Sequence, residues 1–289
     1  MKIAAVVILY HPTVKTLENI KTYASVLDQV YAFDNTEEGS VIKNSLMEIP
    51  NISYFNDKHN AGIAKRLNTA AQIAINDGFD WLLMMDQDSS FNYSTFNLYR
   101  DNISNYPDKN QVAIFGPNFS REQQNSFETI IPEEVSALIT SGSILNLSAY
   151  QQIGMFDEAL FIDGVDTEYC LRAQNSGFKI VQLFNIFLKH ELGESVRRAS
   201  IKTLYLVKKT KAIHSPIRCY YIYRNNLYLQ DKYKYFDKTV MKYIHKGAIA
   251  DIKRSILYGR EFRNIAKYIV EARRDFKQKK MGKYHPLAN

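Results

Sequence analysis

The chain has 289 residues, of which 46% are hydrophobic, 23% charged and 13% aromatic, a composition that excludes a fibre or a disordered tail and allows a large core. The net charge of +7 is unevenly distributed, because residues 201–289 hold 22 Lys and Arg against 6 Asp and Glu, or +16, which leaves −9 for residues 1–200. An acidic body therefore precedes a strongly basic C-terminal region.

Apolar runs alternate with helical patterns over the first 90 residues. Residues 3–9 are uniformly apolar and are followed by His11-Pro12, which is typical of a strand buried on both faces of a parallel sheet. Similar patterns predict strands over 29–33, 52–55 and 81–85, and helices over 13–27 and 63–76. Strands that alternate with helices indicate a doubly wound α/β domain.

The elements of the second half follow the same logic. The pattern predicts strands over 112–115, 136–139 and 179–188, and a helix over 166–175 that ends near Gly177. From about residue 214 the sequence becomes basic, rich in Tyr and helical in character. We therefore predict a first domain over residues 1–213 and a basic helical region over residues 214–289.

Two cysteines, Cys170 and Cys219, are too few for a disulfide framework or a four-cysteine zinc site, which is typical of a reducing compartment. The apolar run near the start is too short for a signal peptide or a membrane span. We expect a cytoplasmic protein, and its basic region suggests peripheral attachment to the inner face of the cytoplasmic membrane.

Polar residues follow each predicted strand of the first half, and in doubly wound sheets ligands bind beyond the carboxyl ends of the strands. No G-x-G-x-x-G follows the first strand and no G-x-x-x-x-G-K-[ST] is present, which argues against dinucleotide enzymes and P-loop NTPases. The most informative strand end is Asp86-Gln87-Asp88, because two carboxylates there can hold a hard divalent ion that binds a diphosphate. An isolated Asp-x-Asp is more often a turn.

Five motifs occur together in order along the chain: Asp34-Asn35, residues 60–68, Asp86-Gln87-Asp88, Thr140-Ser141-Gly142, and residues 156–172. In this combination the sequence resembles family-2 inverting glycosyltransferases, whose fold is the GT-A type with a mostly parallel central sheet. Residues 154–172, 188–193 and 218–226 are similar to the bacterial rhamnosyltransferase branch. The resemblance covers about residues 1–230.

The resemblance implies a general base that takes the proton of the acceptor hydroxyl. Family members carry this aspartate six residues before the closing arginine, Arg172, which gives Asp166. They usually have Glu-Asp there, whereas this chain has Val165-Asp166. The competing carboxylate is Asp163, and the alternative role for Asp166 is to cap a helix. The candidates on the acceptor side are Asp163, Glu168, Arg172 and Arg224.

The resemblance also implies a metal site for Mn²⁺ or Mg²⁺ formed by Asp86, Asp88 and His190. A lone histidine is more often structural, so the assignment of His190 as a metal ligand depends on the family resemblance. The donor-binding candidates implied are Tyr10, Asp34, Asn60, Gly62, Lys65, Asn68, Asp86, Gln87, Ser141 and Gly142. Among them Asp34 would recognise the base, Tyr10 would stack on it or border it, and either Lys65 or Arg66 would supply a cation near the diphosphate.

The implied function is an inverting glycosyltransferase that moves rhamnose from dTDP-rhamnose to a hydroxyl of a saccharide acceptor, for example a lipid-linked oligosaccharide of bacterial surface polysaccharide synthesis. The pocket residues leave UDP-galactose or another UDP-hexose open as the donor. Two other readings are a nucleic-acid-binding protein with a basic tail, against which the acidic body argues, and an inactive relative that acts as a scaffold.

The basic region contains an apolar stripe with helical spacing: Val240, Met241, Ile244, Ala248, Ile249, Ile252 and Ile256. One interpretation is an amphipathic helix that lies on an anionic membrane surface. The alternative of equal weight is that the stripe packs on the catalytic domain or on a second subunit of a homodimer.

Overall fold

The computed structural model describes residues 1–91, 93–118, 132–190, 195–199 and 208–286, and the side chains at residues 190, 195–199, 208 and 209 lie outside this description. The chain divides into two compact units. The N-terminal unit comprises residues 1–157 and 166–191, and the C-terminal unit comprises residues 158–165 and 192–289. This division gives residues 192–213 to the C-terminal unit, whereas the sequence predicted a boundary at residue 213.

The N-terminal unit is built on one large sheet. Its strands and those of a small side ladder are β1 Ile3–Leu9, β2 Gln29–Asp34, β3 Ile52–Phe55, β4 Trp81–Asp86, β5 Ser89–Ser90, β6 Val112–Asn118, β7 Pro132–Glu134, β8 Ser143–Asn146, β9 Lys179–Phe187 and β10 Lys189–His190. Among the described residues the sheet has the order β3-β2-β1-β4-β8-β6-β9-β7. Pairs within β3-β2-β1-β4 and the pair β6-β9 are parallel, while β8 and β7 run antiparallel to their neighbours.

Helices connect these strands, as the alternating pattern predicts. They are α1 Val14–Ala24, α2 Lys43–Met47, α3 Ile63–Asn76, α4 Tyr93–Ser104, α5 Leu147–Ile153 and α6 Val165–Asn175. The core lies on the strands, where β1 and β4 are buried along almost their whole length. Burial on both faces is the reason that these strands read as continuous apolar runs. The mixed α/β architecture with a mostly parallel central sheet is confirmed.

One predicted strand is wrong. Residues 136–139 are not a strand, and the antiparallel strand β8 follows them at Ser143–Asn146. Leu138 is buried because it fills the space above Gly116, where a Cβ atom would lie 2.7 Å from the leucine side chain. The apolar character of this segment therefore reflects packing and not strand pairing.

The C-terminal unit contains a β-hairpin, β11 Ser195–Ala199 with β12 Lys208–Ala212, and three helices, α7 Pro216–Lys232, α8 Lys238–Tyr258 and α9 Phe262–Lys277. Cys219 and Ile222 of α7 form a core cluster with Ile252 of α8 and Ile265 of α9. None of the helices in the described part of the chain combines the length and hydrophobicity needed to span a bilayer.

The predicted apolar stripe lies on α8, and much of it is used inside this unit. Met241 and Ile252 are buried, and Ala248 packs on the core cluster, whereas Ile256 is 40% exposed. Met241 and Ile252 therefore pack inside this unit and do not face lipid, which corrects the interpretation of the whole stripe as a membrane-binding surface.

Candidate active site

The ends of β1 and β4 are joined by a reciprocal pair of hydrogen bonds. The Tyr10 N–H donates to Gln87 Oε1 at 2.9 Å, and Gln87 Nε2 donates to the Tyr10 carbonyl at 3.1 Å. Asn19 Nδ2 also donates to the carbonyl of Gln87 at 3.2 Å. Gln87, which the sequence placed in the donor site, thus fixes the backbone between the two carboxylates Asp86 and Asp88.

A chain of hydroxyl groups runs from Asp88 into the neighbouring strand connection. Ser89 Oγ donates to Asp88 Oδ1 at 3.4 Å, and Ser141 Oγ donates to Ser89 Oγ at 2.7 Å. Ser141 Oγ in turn accepts the backbone N–H of Asp86 at 3.3 Å. Ser141 is fully buried, so its role in this structure is to join the Asp-x-Asp loop to the segment before β8 and not to border a sugar.

The segment Thr140–Gly142 also reaches the predicted base. The Thr140 N–H donates to Asp166 Oδ2 at 3.3 Å, and the Thr167 N–H donates to Asp166 Oδ1 at 2.7 Å. Asp166 lies in the first turn of α6 and remains partly exposed. One short segment therefore carries hydrogen bonds to both the Asp-x-Asp loop and Asp166, so the fold brings these carboxylates to the same edge of the sheet.

Gly142 is required by its surroundings. Its φ is +74°, and a Cβ atom would lie 2.9 Å from Pro117 Cγ and 2.9 Å from Leu188 Cδ2. Any other residue would be strained there by both its backbone and its contacts. The sequence placed Gly142 beside the sugar ring, but its close neighbours in the structure are protein side chains.

Asp86 and Asp88 fit a divalent cation in their chemistry. Both are partly exposed at the end of β4, and paired carboxylate oxygens suit Mg²⁺ and Mn²⁺. Burial raises the pKa of Tyr23, and the negative charge of Asp86 raises it further. The backbone of His190 pairs with Ser89, but its side chain lies outside the described residues. Among the described residues no group of three His, Cys, Asp or Glu is arranged to hold a metal.

Asp34 is one of the predicted donor residues. Its side chain is fully buried, Oδ2 accepts the Tyr54 hydroxyl at 2.6 Å, and Oδ1 accepts the Thr36 N–H at 2.8 Å. Burial and the hydrogen bond to Asp34 raise the pKa of Tyr54 to about 12. Both carboxylate oxygens thus hold the loop after β2, and the predicted contact of Asp34 with a base stays a prediction.

The structure distinguishes the two basic residues of α3. Arg66 is 7% exposed and donates to both oxygens of Asp57 and to Asn35 Oδ1, whereas Lys65 is exposed. The hydrogen bonds from Arg66 lower the pKa of Asp57. The Arg66 guanidinium is therefore engaged within the protein, and Lys65 stays the candidate for the cation near the diphosphate.

The turn before α3 is built by Asn60 and Gly62. Asn60 Oδ1 accepts the Gly62 N–H at 3.1 Å, and Gly62 has a φ of +82°, which favours glycine. Both residues shape the backbone at the start of α3. Their predicted contact with the donor stays a prediction.

Asn68 corrects one donor prediction. Its Nδ2 donates to the Phe156 carbonyl at 3.0 Å, and its Oδ1 accepts the Phe156 N–H at 2.8 Å and the Tyr150 hydroxyl at 3.0 Å. The side chain is 4% exposed. Asn68 therefore joins α3 to the segment after α5 and is not available to a ligand.

Glu168 and Arg172, predicted on the acceptor side, form an internal pair on α6. Glu168 is fully buried and accepts two hydrogen bonds from Arg172, at 3.0 and 2.9 Å. Arg172 also donates to the carbonyls of Ile153 and Met155, at 2.9 and 2.7 Å. These bonds anchor α6 to the end of α5, so neither side chain contacts an acceptor in this arrangement.

The other two acceptor candidates belong to the C-terminal unit. Arg218 of α7 donates to both oxygens of Asp163, and Asn225 Nδ2 donates to the Asp163 carbonyl at 2.8 Å. Arg224 is 1% exposed and lies over the ring of Tyr220. Both oxygens of Asp163 are occupied by Arg218, whereas Asp166 is partly exposed, so Asp166 stays the candidate base, and the burial of Arg224 corrects its predicted contact with an acceptor.

His11 lies beside a predicted donor residue and was not itself among the candidates. Tyr10 is 47% exposed, and the His11 ring lies beside it with ring centroids 4.2 Å apart. The His11 N–H donates to Thr36 Oγ1 at 2.8 Å, and its φ of +48° turns the chain sharply after β1. The only signal in the sequence is its position directly after a buried strand.

A mostly parallel sheet with two carboxylates after its fourth strand and a third at the start of α6 defines a glycosyltransferase fold of the GT-A type. No protein-family profile matches the chain. Among characterised proteins the chain is similar to the dTDP-rhamnosyl transferase RfbF of Shigella flexneri, with 28% identity over 248 residues that cover 80% of each sequence.

Solved structures agree on the fold. The chain is similar to residues 1–349 of S. aureus TarS in complex with UDP-GlcNAc, with a TM-score of 0.56, 15% identity and coverage of 96% of this chain and 81% of that one. It spans 40% of a longer TarS structure, with a TM-score of 0.50. GalNAc-T7 with UDP, GalNAc and Mn²⁺ gives a TM-score of 0.52 at 10% identity, over 66% of this chain and 44% of that one. These likenesses confirm the predicted GT-A fold.

Proposed function

We propose that the protein is an inverting glycosyltransferase that transfers rhamnose from dTDP-rhamnose to a hydroxyl group of a saccharide. The observation that carries the proposal is the network from Asp88 through Ser89 and Ser141 to the segment that binds Asp166. The similarity to the rhamnosyl transferase RfbF over 80% of both sequences supports the donor.

Asp166 acts as the general base of the proposed reaction. The acceptor oxygen forms a bond to the anomeric carbon, the bond from that carbon to the diphosphate breaks, and the acceptor proton passes to the Asp166 carboxylate. Backbone N–H groups of Thr140 and Thr167 orient the carboxylate and leave it partly exposed. A positioned base of this kind contributes a factor of about 10² to 10⁴ to the rate.

Asp86 and Asp88 hold a divalent cation in the proposed site, with His190 as the predicted third ligand. When bound, Mn²⁺ or Mg²⁺ supplies positive charge that stabilises the departing diphosphate. The structure of GalNAc-T7 contains Mn²⁺ together with UDP, which supports a metal in this fold. Lys65 is exposed on the first turn of α3, and we propose that its ammonium group contacts the same diphosphate.

We propose a lipid-linked saccharide at the inner face of the cytoplasmic membrane as the acceptor. The charge of +16 over residues 201–289 supports this location, because each cation close to an anionic lipid surface contributes on the order of 1 kcal/mol. The acidic body of the chain, −9 over residues 1–200, is less suited to a polyanion such as nucleic acid.

The test is a donor panel with dTDP-rhamnose, UDP-galactose and UDP-GlcNAc, each with Mn²⁺ and with Mg²⁺, and with released nucleoside diphosphate as the measurement. We expect dTDP-rhamnose to give the fastest release. A UDP-hexose that reacts faster would change the assigned donor but keep the reaction class. Absence of release from every donor, with a salt-dependent gel shift of nucleic acid, would reject the proposal.

A further inference from the structure

A cleft of about 370 Å³ lies within the C-terminal unit, between the end of α7 and the first turns of α8. Its lining combines basic and apolar side chains: Gln230, Lys234, Phe236, Lys238, Met241, Lys242 and His245. None of these residues is acidic. The described part of the chain also gives no ion pair between these three lysines and a carboxylate.

The acidic residue nearest to these lysines in the sequence is already engaged. Asp237 caps α8, and its Oδ1 accepts the N–H groups of Thr239 and Val240 at 2.8 and 2.9 Å. These backbone bonds lower the pKa of Asp237. Three ammonium groups around one cleft repel each other, and an anion that binds between them relieves this repulsion.

His245 adds a fixed hydrogen-bonding group. Its Nδ1 lies 2.9 Å from Nδ2 of Asn226, a residue of α7 that is 3% exposed. This bond orients the ring and leaves Nε2 for a ligand, while the three lysines supply mobile donors. Lysine ammonium groups with a fixed imidazole match the several acceptor oxygens of a phosphate.

The surroundings distinguish a lipid phosphate from a free anion. Met241 is buried and forms part of the lining together with Phe236, so the cleft offers apolar contact beside the cations. Two tyrosines next to the cleft lysines in the sequence, Tyr235 and Tyr243, are 92% and 80% exposed. Exposed tyrosines among cations are typical of surfaces that meet the head-group region of a membrane.

We propose that this cleft binds a phosphate group carried on an apolar chain, such as a lipid head group or the diphosphate of a lipid-linked saccharide. The anion site rests on the cleft itself, and its assignment to a lipid rests on the proposed function. The cleft shares only Met241 with the apolar stripe of α8, and this side chain is buried at the base of the stripe's N-terminal end.

The first experiment uses the full chain and vesicles of phosphatidylcholine with and without phosphatidylglycerol. The test variant is Lys238→Glu with Lys242→Glu. The matched control is Lys246→Glu with Lys253→Glu, which changes the charge equally at exposed positions of α8 outside the cleft. We expect the test variant to lose at least about tenfold in vesicle binding and the control less than about threefold. Equal losses, or no binding by the unchanged chain, would overturn the proposal.

The second experiment separates the two sources of phosphate by calorimetry with inorganic diphosphate and with geranyl diphosphate. We expect geranyl diphosphate to bind at least about tenfold more tightly, and the test variant to lose this binding. Equal affinities would identify a site for free anions and reject the lipid assignment. Release of nucleoside diphosphate from the sugar donor is measured in parallel. Loss of this release would count against the proposed function, whereas loss of geranyl diphosphate binding alone would count against the phosphate site in the cleft.

Discussion

Each unit of the molecule buries one arginine of the predicted site region, and the two are neutralised differently. In the N-terminal unit, Arg66 donates to both oxygens of Asp57, with Nη1 at 2.9 Å, and also to Asn35 Oδ1 and the His59 carbonyl, at 2.8 and 2.7 Å. The positive charge of Arg66 is therefore in direct contact with the Asp57 carboxylate. These bonds tie the loops after β2 and β3 to α3.

In the C-terminal unit, the charge of Arg224 meets aromatic rings and an amide. Its guanidinium lies 5.1 and 5.2 Å from the ring centroids of Tyr220 and Tyr221, and it donates twice to Asn225 Oδ1. Its Nη1 also donates to the Tyr220 hydroxyl at 3.2 Å, and that hydroxyl donates to Asp275 at 2.9 Å. The Tyr220 hydroxyl therefore lies between the Arg224 guanidinium and the Asp275 carboxylate.

The comparison shows that burial decides which basic residues remain for ligands. The sequence left Arg66 open as a diphosphate ligand and placed Arg224 on the acceptor side, but both are committed to the protein. Lys65 at the start of α3 and the lysines of the cleft beside α8, in contrast, are exposed.

The largest expected effect concerns the carboxylates Asp166, of the N-terminal unit, and Asp163, of the C-terminal unit. We expect Asp166→Asn to lower the transfer rate by about 10² to 10⁴, because an amide cannot take the proton, while donor binding persists. The matched control is Asp163→Asn, which weakens the ion pair with Arg218 but keeps the base. An active Asp166→Asn beside an inactive Asp163→Asn would reverse the assignment.

The second prediction concerns the divalent cation proposed for Asp86 and Asp88 of the N-terminal unit. Chelation is expected to lower transfer by about a hundredfold or more, and Mn²⁺ or Mg²⁺ is expected to restore it. Asp88→Asn should reproduce the loss and require more metal for recovery. Transfer at the full rate in excess chelator would remove the metal from the proposal.

The third prediction tests the two arginines directly. Arg66→Met removes four hydrogen bonds, to the two oxygens of Asp57, to Asn35 Oδ1 and to the His59 carbonyl, and we expect it to lower the free energy of unfolding by about 2–3 kcal/mol. Arg224→Met fills a similar volume and leaves the Asn225 amide oxygen, but no carboxylate, without its donor, so about 1 kcal/mol is expected.

Two probes separate these effects in urea unfolding. Trp81 is the single tryptophan and lies on β4, so its fluorescence reports the N-terminal unit. Circular dichroism reports helix content, to which α7, α8 and α9 contribute. A larger cost for Arg224→Met than for Arg66→Met would show that the aromatic rings, and not the carboxylate, provide the stronger compensation.

The smallest expected effect is a dependence of stability on pH in the C-terminal unit. Burial lowers the pKa of His214, whose ordinary value is about 6.5. The unfolded chain then binds more protons than the folded chain, so stability falls as the pH drops from about 6.5 through the lower value of the folded state. His214→Gln should make the slope of stability against pH shallower, measured as urea midpoints at pH 7.5 and 5.5. An unchanged slope would exclude His214 as its source.

Much of the fold could be predicted because its parallel strands are buried on both faces. The bounds of β1, β3 and α3 agree with the predicted ranges, because β1 is a continuous apolar run, α3 has a regular helical stripe and β3 is bounded by the polar residues Asn51 and Asn56. The strand β8 was missed because Ser143–Asn146 is short and begins and ends with polar residues. The stronger apolar run just before it serves packing above Gly116.

The candidate site was predictable only where its residues act locally. Asp86 and Asp88 follow β4, so their position at a strand end could be inferred from the pattern, whereas Asp166 was assigned through the family resemblance. Asn68 could not be assigned in this way, because its partner Phe156 is 88 residues away. The choice between Lys65 and Arg66 likewise depends on burial, which neighbouring positions in a sequence do not reveal.

The order of the strands has a consequence for synthesis of the chain on the ribosome. The first four strands in space, β3-β2-β1-β4, are complete once residue 86 has emerged, but β6 pairs with β9, which ends at Phe187. A nascent chain that stops at residue 157 therefore carries β6 without its parallel partner. Unpaired strand edges invite association between chains, so such a fragment is expected to aggregate, and Asp166, the proposed base, joins the site only late in translation.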